Sequence, residues 1–462
     1  MQMRAKVIRA ALAMVAALVM LTVAACGGGS NNSKSTSSGP SGTPAKGGKV
    51  TLNAIFLPAT WGTVVKDTLA PEYERETGVK VNVQLIARDA IHDKMATLFA
   101  AKDSSFDIFN LDYNWIPEFG GAGQLVPMDD MVSAADRQDF FPLTLKVATW
   151  QGKLYGIPQT IHPALLWYRK DLYGDPKIQT QFQAETGQKL EAPKTMAEWL
   201  QQAKFFNGKT FHGKKTYGWA AQAAKGFGNV HTWLSFLYTY GGHPFNGDFT
   251  KSTLSSPQGE QATAQWAEMM KYMPPGANGF TYDNVTTAAQ QGTIATALQW
   301  SWGAFAVDDK KSSKTVGDWE YTQVPAVTAG QVSHPHLAEW VIAVSKYSKH
   351  AVEAKKFAAW LETKKNDVVQ ASLGGGDPVR QSSYSNVKLT KDKVPGTNVL
   401  RFRRLPQVIV AMKNAMPRPF FAGEERWETT VTTPLQAVSL GKESPAQGLT
   451  QSDKAVDASL QR

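Results

Sequence analysis

The chain has 462 residues, 42% of them hydrophobic and 19% charged, with a single cysteine. That is apolar enough to exclude a disordered chain, too long for one typical core, and too poor in cysteine for a disulfide scaffold. A formal charge of +10 raises nucleic-acid binding, but the densest basic cluster is only Arg401-Phe402-Arg403-Arg404, and no basic stripe with interleaved aromatics supports that class.

Arg4, Lys6 and Arg9 open the chain, and Ala10 to Ala25 is apolar except for Thr22. That run is shorter than the roughly 20 residues a spanning helix needs, so 1–25 reads as a cleavable leader. Removing it takes away three basic residues and leaves +7. Val23-Ala24-Ala25-Cys26-Gly27 resembles a bacterial lipobox, which implies a lipid on Cys26 and attachment to a bilayer. A lone cysteine cannot make an intramolecular disulfide, and one at a leader's end is badly placed for a core. Residues 26–47 are rich in Ser and Gly and read as a disordered tether, about 25 Å across as a flexible coil.

The folded part begins at 48. Lys49 to Phe56 predicts a buried strand. Trp61 to Thr77 has apolar residues at helical spacing and stops at Gly78, and Val79 to Ile86 alternates as a second strand. A helix carrying Ile91, Met95, Leu98 and Phe99 follows, then a short strand at Phe106 to Leu111. Strands alternating with helices predict a parallel sheet covered by helices. Ala164 to Tyr168 reads as a strand, and Thr195 with Glu198 as a capping box that starts a helix. Helices are predicted near Val230–Tyr240, Ser256–Tyr272 and Ala351–Leu361, and strands at Thr293–Trp300, Tyr321–Val324 and Glu339–Val344. The last ninety residues read as loop and helix.

Several segments in this order carry a resemblance. They are Glu76-Thr77-Gly78-Val79-Lys80-Val81, Phe106-Asp107-Ile108-Phe109, Gly123-Gln124-Leu125-Val126-Pro127, Gly152-Lys153-Leu154-Tyr155-Gly156-Ile157-Pro158, Trp167-Tyr168-Arg169-Lys170-Asp171-Leu172, Pro193-Lys194-Thr195-Met196-Ala197-Glu198-Trp199 and Ala354-Lys355-Lys356-Phe357-Ala358. With them the chain resembles the family of extracellular solute-binding proteins that includes maltose-binding protein, over nearly all of its mature length. The resemblance implies an α/β, two-lobed type II periplasmic-binding-protein fold with a hinge and a ligand cleft between the lobes. One lobe is expected to hold 48–159 and 338–375, the other 160–337 and 376–462. It also implies a monomer outside the cytoplasm that binds a sugar or polyol without a cofactor and delivers it to the transmembrane subunits of an ABC importer.

A sugar presents hydroxyls and apolar C–H faces, so its site needs aromatic plates and polar side chains at strand ends. Trp61 follows the first strand, and Asp112, Tyr113 and Trp115 follow the third. Gln159 and His162 stand at the expected first crossing, where the resemblance places a ligand-contacting acid at His162. Trp302 stands where the family stacks an aromatic on the sugar, Trp340 at the next crossing, and Phe420 in the aromatic segment of the cleft's far side. Asp377 and Arg380 follow the glycines Gly374-Gly375-Gly376, which let backbone approach a ligand closely, and the two can bond hydroxyls or pair with each other as an interlobe salt bridge. Trp61 could equally be core and His162 a hinge residue, and Trp340 reads rather more as core.

Rival readings are weaker. No Gly-x-Ser-x-Gly elbow, His-Glu-x-x-His or P-loop marks an enzyme, and no carboxylate pair stands out for glycoside hydrolysis. His334 and His336 alone are too few for a typical metal site. A glycerophosphodiester or polyamine remains the alternative ligand, with Arg380, Arg418 and His162 available to a phosphate.

Overall fold

The computed structural model describes residues 50–391, 393–394 and 399–460. The predicted leader, Cys26 and the tether lie outside the described residues. Strand β1 (Thr51–Phe56) forms where Leu52, Ala54, Ile55 and Phe56 can all be buried. The chain is then helical from Thr60 to Thr77, with one π turn at Val65–Leu69, and it ends on Gly78 at φ 77°. β2 (Lys80–Leu85), helix α1 (Arg88–Ala100) and β3 (Ile108–Asp112) follow, and β2 and β3 flank β1 in parallel. The predicted parallel βαβ opening is present.

β4 (Ile157–Arg169) is thirteen residues long, where the sequence predicted a strand only from Ala164. Pro158 and Pro163 read as breakers, since proline cannot donate to a ladder. Here Pro158 lies at a register shift: Trp340 opposes Thr160 and Val341 opposes Pro158, so Gln159 is the extra residue of a bulge. Pro163 closes the paired stretch, just before β4 changes neighbours.

β5 (Lys209–Phe211), β6 (Lys214–Ala221), β7 (Ile294–Trp300), β8 (Trp319–Thr322) and β9 (Leu337–Val344) complete a nine-stranded sheet. Its order is β2-β1-β3-β9-β4-β7-β6-β5, with β8 also on β4. β8 starts two residues before its prediction because Trp319 and Glu320 pair with Arg169 and Tyr168. β9 lies antiparallel to both β3 and β4. The first half of β4 therefore pairs with β9 and the second half with β7 and β8, so β4 and β9 are where the two parts of the sheet meet.

The capping box forms as predicted at the start of α2 (Met196–Phe206): the Glu198 amide donates to Thr195 Oγ1 (3.2 Å) and the Thr195 amide to the Glu198 carboxylate (3.3 Å). α3 (Phe227–Thr239) is buried along almost its whole length. α4 (Pro257–Met270), α5 (Glu424–Ser439) and α6 (Pro445–Leu460) pack around it and each other, so the C-terminal segment belongs to the part built on β6 and β7. Nine of the 14 tryptophans are fully buried; Trp61 and Trp115 among them face the candidate site, and the other seven are core rather than candidate binding plates. Among the described residues no helix is long and apolar enough to cross a membrane.

Candidate functional site

Residues opposed across antiparallel strands share a face. Trp340 opposes Asp112 and Thr160, Ala338 opposes His162, and Ala164 opposes Trp300. His336, one residue before β9, continues the alternation of Ala338 and Trp340. One face at the junction of β3, β9, β4 and β7 thus carries Asp112, Trp340, Thr160, His162, His336 and Trp300 around the small side chains of Ala338 and Ala164.

Trp61 forms one wall. Its Nε1 donates to Asn110 Oδ1 (3.1 Å), and its ring centroid lies 5.1 Å from His162, 5.1 Å from Trp302 at 85° and 5.9 Å from Trp340. Trp302 is backed by Tyr282, stacked at 4.7 Å, and Trp115 meets Trp340 edge-on at 6.2 Å. Trp61, Trp115, His162, Trp302 and Trp340, predicted separately from five places in the chain, converge here. His162 is buried and neither ring nitrogen has a partner in the protein. Burial, and then the Arg404 cation, hold its pKa well below the ordinary histidine value.

Beside His162 runs the glycine loop. Gly376 has φ 112°, and a Cβ there would lie 1.8 Å from Thr160 Oγ1 and 3.3 Å from the His162 ring. The Asp377 carbonyl accepts from the Ile161 amide (3.5 Å) and Thr160 Oγ1 (3.3 Å), while its Oδ1 accepts two hydrogen bonds from Arg404 (3.0 and 2.6 Å). Asp377 Oδ2, Arg404 Nη1, Ser301 Oγ and the Tyr282 hydroxyl are buried and unpartnered.

A second wall stands beyond Ala338. His336 lies 4.6 Å from His231 of α3 and 5.2 Å from Trp300. Both nitrogens of His336 and Nδ1 of His231 are unpartnered, and His231 Nε2 is 3.2 Å from both Glu428 and Arg418. Burial first, with nearby Arg418 contributing, keeps both histidines well below the usual pKa. A neutral imidazole offers one donor and one acceptor, the same pair that a hydroxyl offers.

Other predicted residues are committed elsewhere. The Asp112 carboxylate is held by Arg418 and by Arg88 Nε (3.3 Å). The Tyr113 hydroxyl accepts from the Arg418 amide (2.7 Å), and Trp115 Nε1 donates to Glu425 (2.9 Å). Gln159 links Asn110 (2.8 Å) to Gln370 (3.1 Å) in a buried amide chain. Phe420 packs against Tyr113 and Trp150 at 6.1 and 5.6 Å. Arg380 does not meet Asp377: it lies over Phe140 and bonds Asp136 (2.8 Å), Asp139 (3.3 Å) and the Glu362 carbonyl (2.7 Å). His334 Nδ1 contacts the Asn414 carbonyl at 3.1 Å and does not join His336. Arg403 and Arg404, two of the three arginines in the basic cluster, are drawn into ion pairs with Asp308 and Asp377.

Residues 59–368 match the family described as bacterial extracellular solute-binding protein. The chain belongs to this family. An ABC transporter solute-binding protein from Agrobacterium radiobacter K84 in complex with ribitol shares the fold with a TM-score of 0.76 and 25% identity, over 88% of this chain and 98% of that one. Maltose-bound MalE3 of T. maritima has a TM-score of 0.73 at 20% identity, over 89% and 99% of the two chains. The erythritol/L-threitol-binding protein of Mycolicibacterium smegmatis is 23% identical over 356 residues, 72% of this chain and 71% of that relative. This solute-binding protein has their two-lobed α/β architecture, as the sequence resemblance implied. His231, His336, Ser301 and Arg404 were not among the predicted site residues. The alternation His336, Ala338, Trp340 was the available signal, and it was cut short by starting the strand at Glu339.

Proposed function

We propose that this solute-binding protein captures a sugar or polyol over the face bearing His162, Ala338 and His336, and delivers it to the transmembrane subunits of an ABC importer. The observation that carries this reading is the pair of buried, neutral histidines, each with both nitrogens unpartnered, beside a wall of tryptophans. Hydroxyls match neutral imidazoles, and C–H faces match indole rings. Arg404, Arg418 and Arg88, beside this face, already hold Asp377 and Asp112, which disfavours a phosphodiester. The ribitol and erythritol/L-threitol named for the relatives support the same ligand class.

In this reading the lobes divide as 48–159 with 338–375 against 160–337 with 376–462, hinged where β4 and β9 cross, and they close over the solute. The protein acts as a monomer and performs no chemistry on its ligand. A lipid on Cys26 and the 26–47 tether hold it outside the membrane, near the permease, by raising effective concentration. Cys26→Ser should move the protein from the membrane fraction to the soluble one; retention in the membrane would refute the anchor. Thermal unfolding against a panel of sugars, polyols and phosphodiesters tests the ligand class. A ligand at about 100 times its Kd stabilises the native state by roughly 2.7 kcal/mol. A melting shift with a sugar or polyol is expected, and a shift only with a phosphodiester would overturn the class.

A further inference from the structure

Asp112, Tyr113, Asn114 and Trp115 are all engaged by one stretch of chain, 418–425. Arg418 holds the Asp112 carboxylate, and its amide donates to Tyr113. The Asn114 side-chain amide donates to the Pro419 carbonyl (3.1 Å), and Trp115 donates to Glu425. Arg88, which enters α1, adds contacts to Glu425 (3.3 Å) and Glu428 (3.8 Å). Residues 88 and 112–115 belong to the part of the sheet built on β1–β3. The 417–428 stretch is fixed to the other part: Tyr238 of α3 donates to the Pro417 carbonyl (2.8 Å), Phe421 stacks on Phe249 at 5.5 Å, and α5 packs on α3.

The charges within this contact can separate without stranding a buried ion. Asp112 pairs with Arg88 on its own side, and Arg418 pairs with Glu428 (3.0 Å) on the other. Removing one partner of a buried pair is strongly destabilising because the remaining charge is left uncompensated. Here each side keeps a partner of its own, so the Arg418–Asp112 and Arg88–Glu425 contacts can break and reform without leaving a buried charge uncompensated.

We propose that Arg418 is a closure latch, a positioning residue that holds the two lobes together across the cleft through Asp112. The proposal rests on the two-lobed hinge reading above but not on the identity of the solute. It places the 112–115 cluster in lobe closure, with Trp115 alone also edging the aromatic wall.

The test needs no solute. Trp150 and Phe420 lie on opposite sides of the contact with ring centroids 5.6 Å apart. Cysteines introduced as Trp150→Cys and Phe420→Cys, in the full-length chain carrying Cys26→Ser, can be bridged by a short bis-thiol reagent that fluoresces once both ends react. The bridging rate follows the closed fraction even when that fraction is small. Losing a cross-interface charge pair weakens closure, so Arg418→Met should slow bridging about tenfold. Asp112→Asn, which keeps the shape of the side chain, should slow it similarly, and the double variant should be little slower than either alone. Single-thiol reactivity and a cooperative melt control for misfolding. Unchanged bridging in a folded Asp112→Asn protein would overturn the latch, as would effects that simply add. A protein that bridges as expected but binds no sugar or polyol would sink the ligand proposal and leave the latch standing.

Discussion

His162 stands between two tryptophan rings with both nitrogens unpartnered, and its burial makes the charged form costly. Its folded pKa is depressed below the unfolded value of about 6.5, so below that pH the unfolded chain binds the extra proton and stability falls as pH drops. Buried Glu339, Glu362 and Glu424 have raised pKa values and work the other way, binding protons in the folded state first. The informative quantity is therefore a difference between two proteins. His162→Asn cannot titrate, so denaturant unfolding across pH 5–7 should give a shallower acid loss, by up to about 1.4 kcal/mol per pH unit. Parallel profiles would mean that His162 is not held neutral. At this scale the sequence exposed the aromatic residues well, because Trp61, Trp302 and Trp340 stand at strand ends or crossings. It exposed the polar ones poorly. Arg380 and Arg404 look alike in sequence, and only the fold turns one toward Asp136 and the other toward Asp377.

The elements most visible in the sequence were those with strong local signals. Ala351–Leu361 is helical over the predicted range, Gly78 ends its helix, and Thr195 with Glu198 forms the predicted box. β4 was half missed because its prolines contradict local propensity, and a bulge and a change of partner strands accommodate them. The glycines beside it were read as room for a ligand to approach, whereas the close neighbours of Gly376 are Thr160 and His162, more than two hundred residues away in sequence and so not legible from it. Gly376→Ala tests that approach. A Cβ would collide with Thr160 Oγ1, and the positive φ would add strain, so the variant should lose about 2 kcal/mol or more of stability. A wild-type melting curve would show that the loop moves freely and does not press on His162.

At the scale of the whole molecule, the alternating strands and helices and the ordered local motifs were enough to place the chain in its family. The residues that join the two parts of the sheet were not evident, because they come from distant segments: Arg88 and Asp112 early, Arg418 to Glu428 late. The high charge also proves to be spread over the structure, with Arg88, Arg403, Arg404 and Arg418 spent on ion pairs inside the fold. Capture of a polyhydroxyl solute over this face is decided by calorimetric titration of the protein with ribitol, erythritol, mannitol and maltose, repeated on Ala338→Leu. Ala338 lies buried on the face between His162 and His336, so a leucine there would project where the solute is proposed to lie. Saturable one-site binding of at least one of these solutes is expected, lost in a folded Ala338→Leu protein. Binding that survives the substitution, or no binding of any sugar or polyol beside a clear response to a phosphodiester, would contradict it.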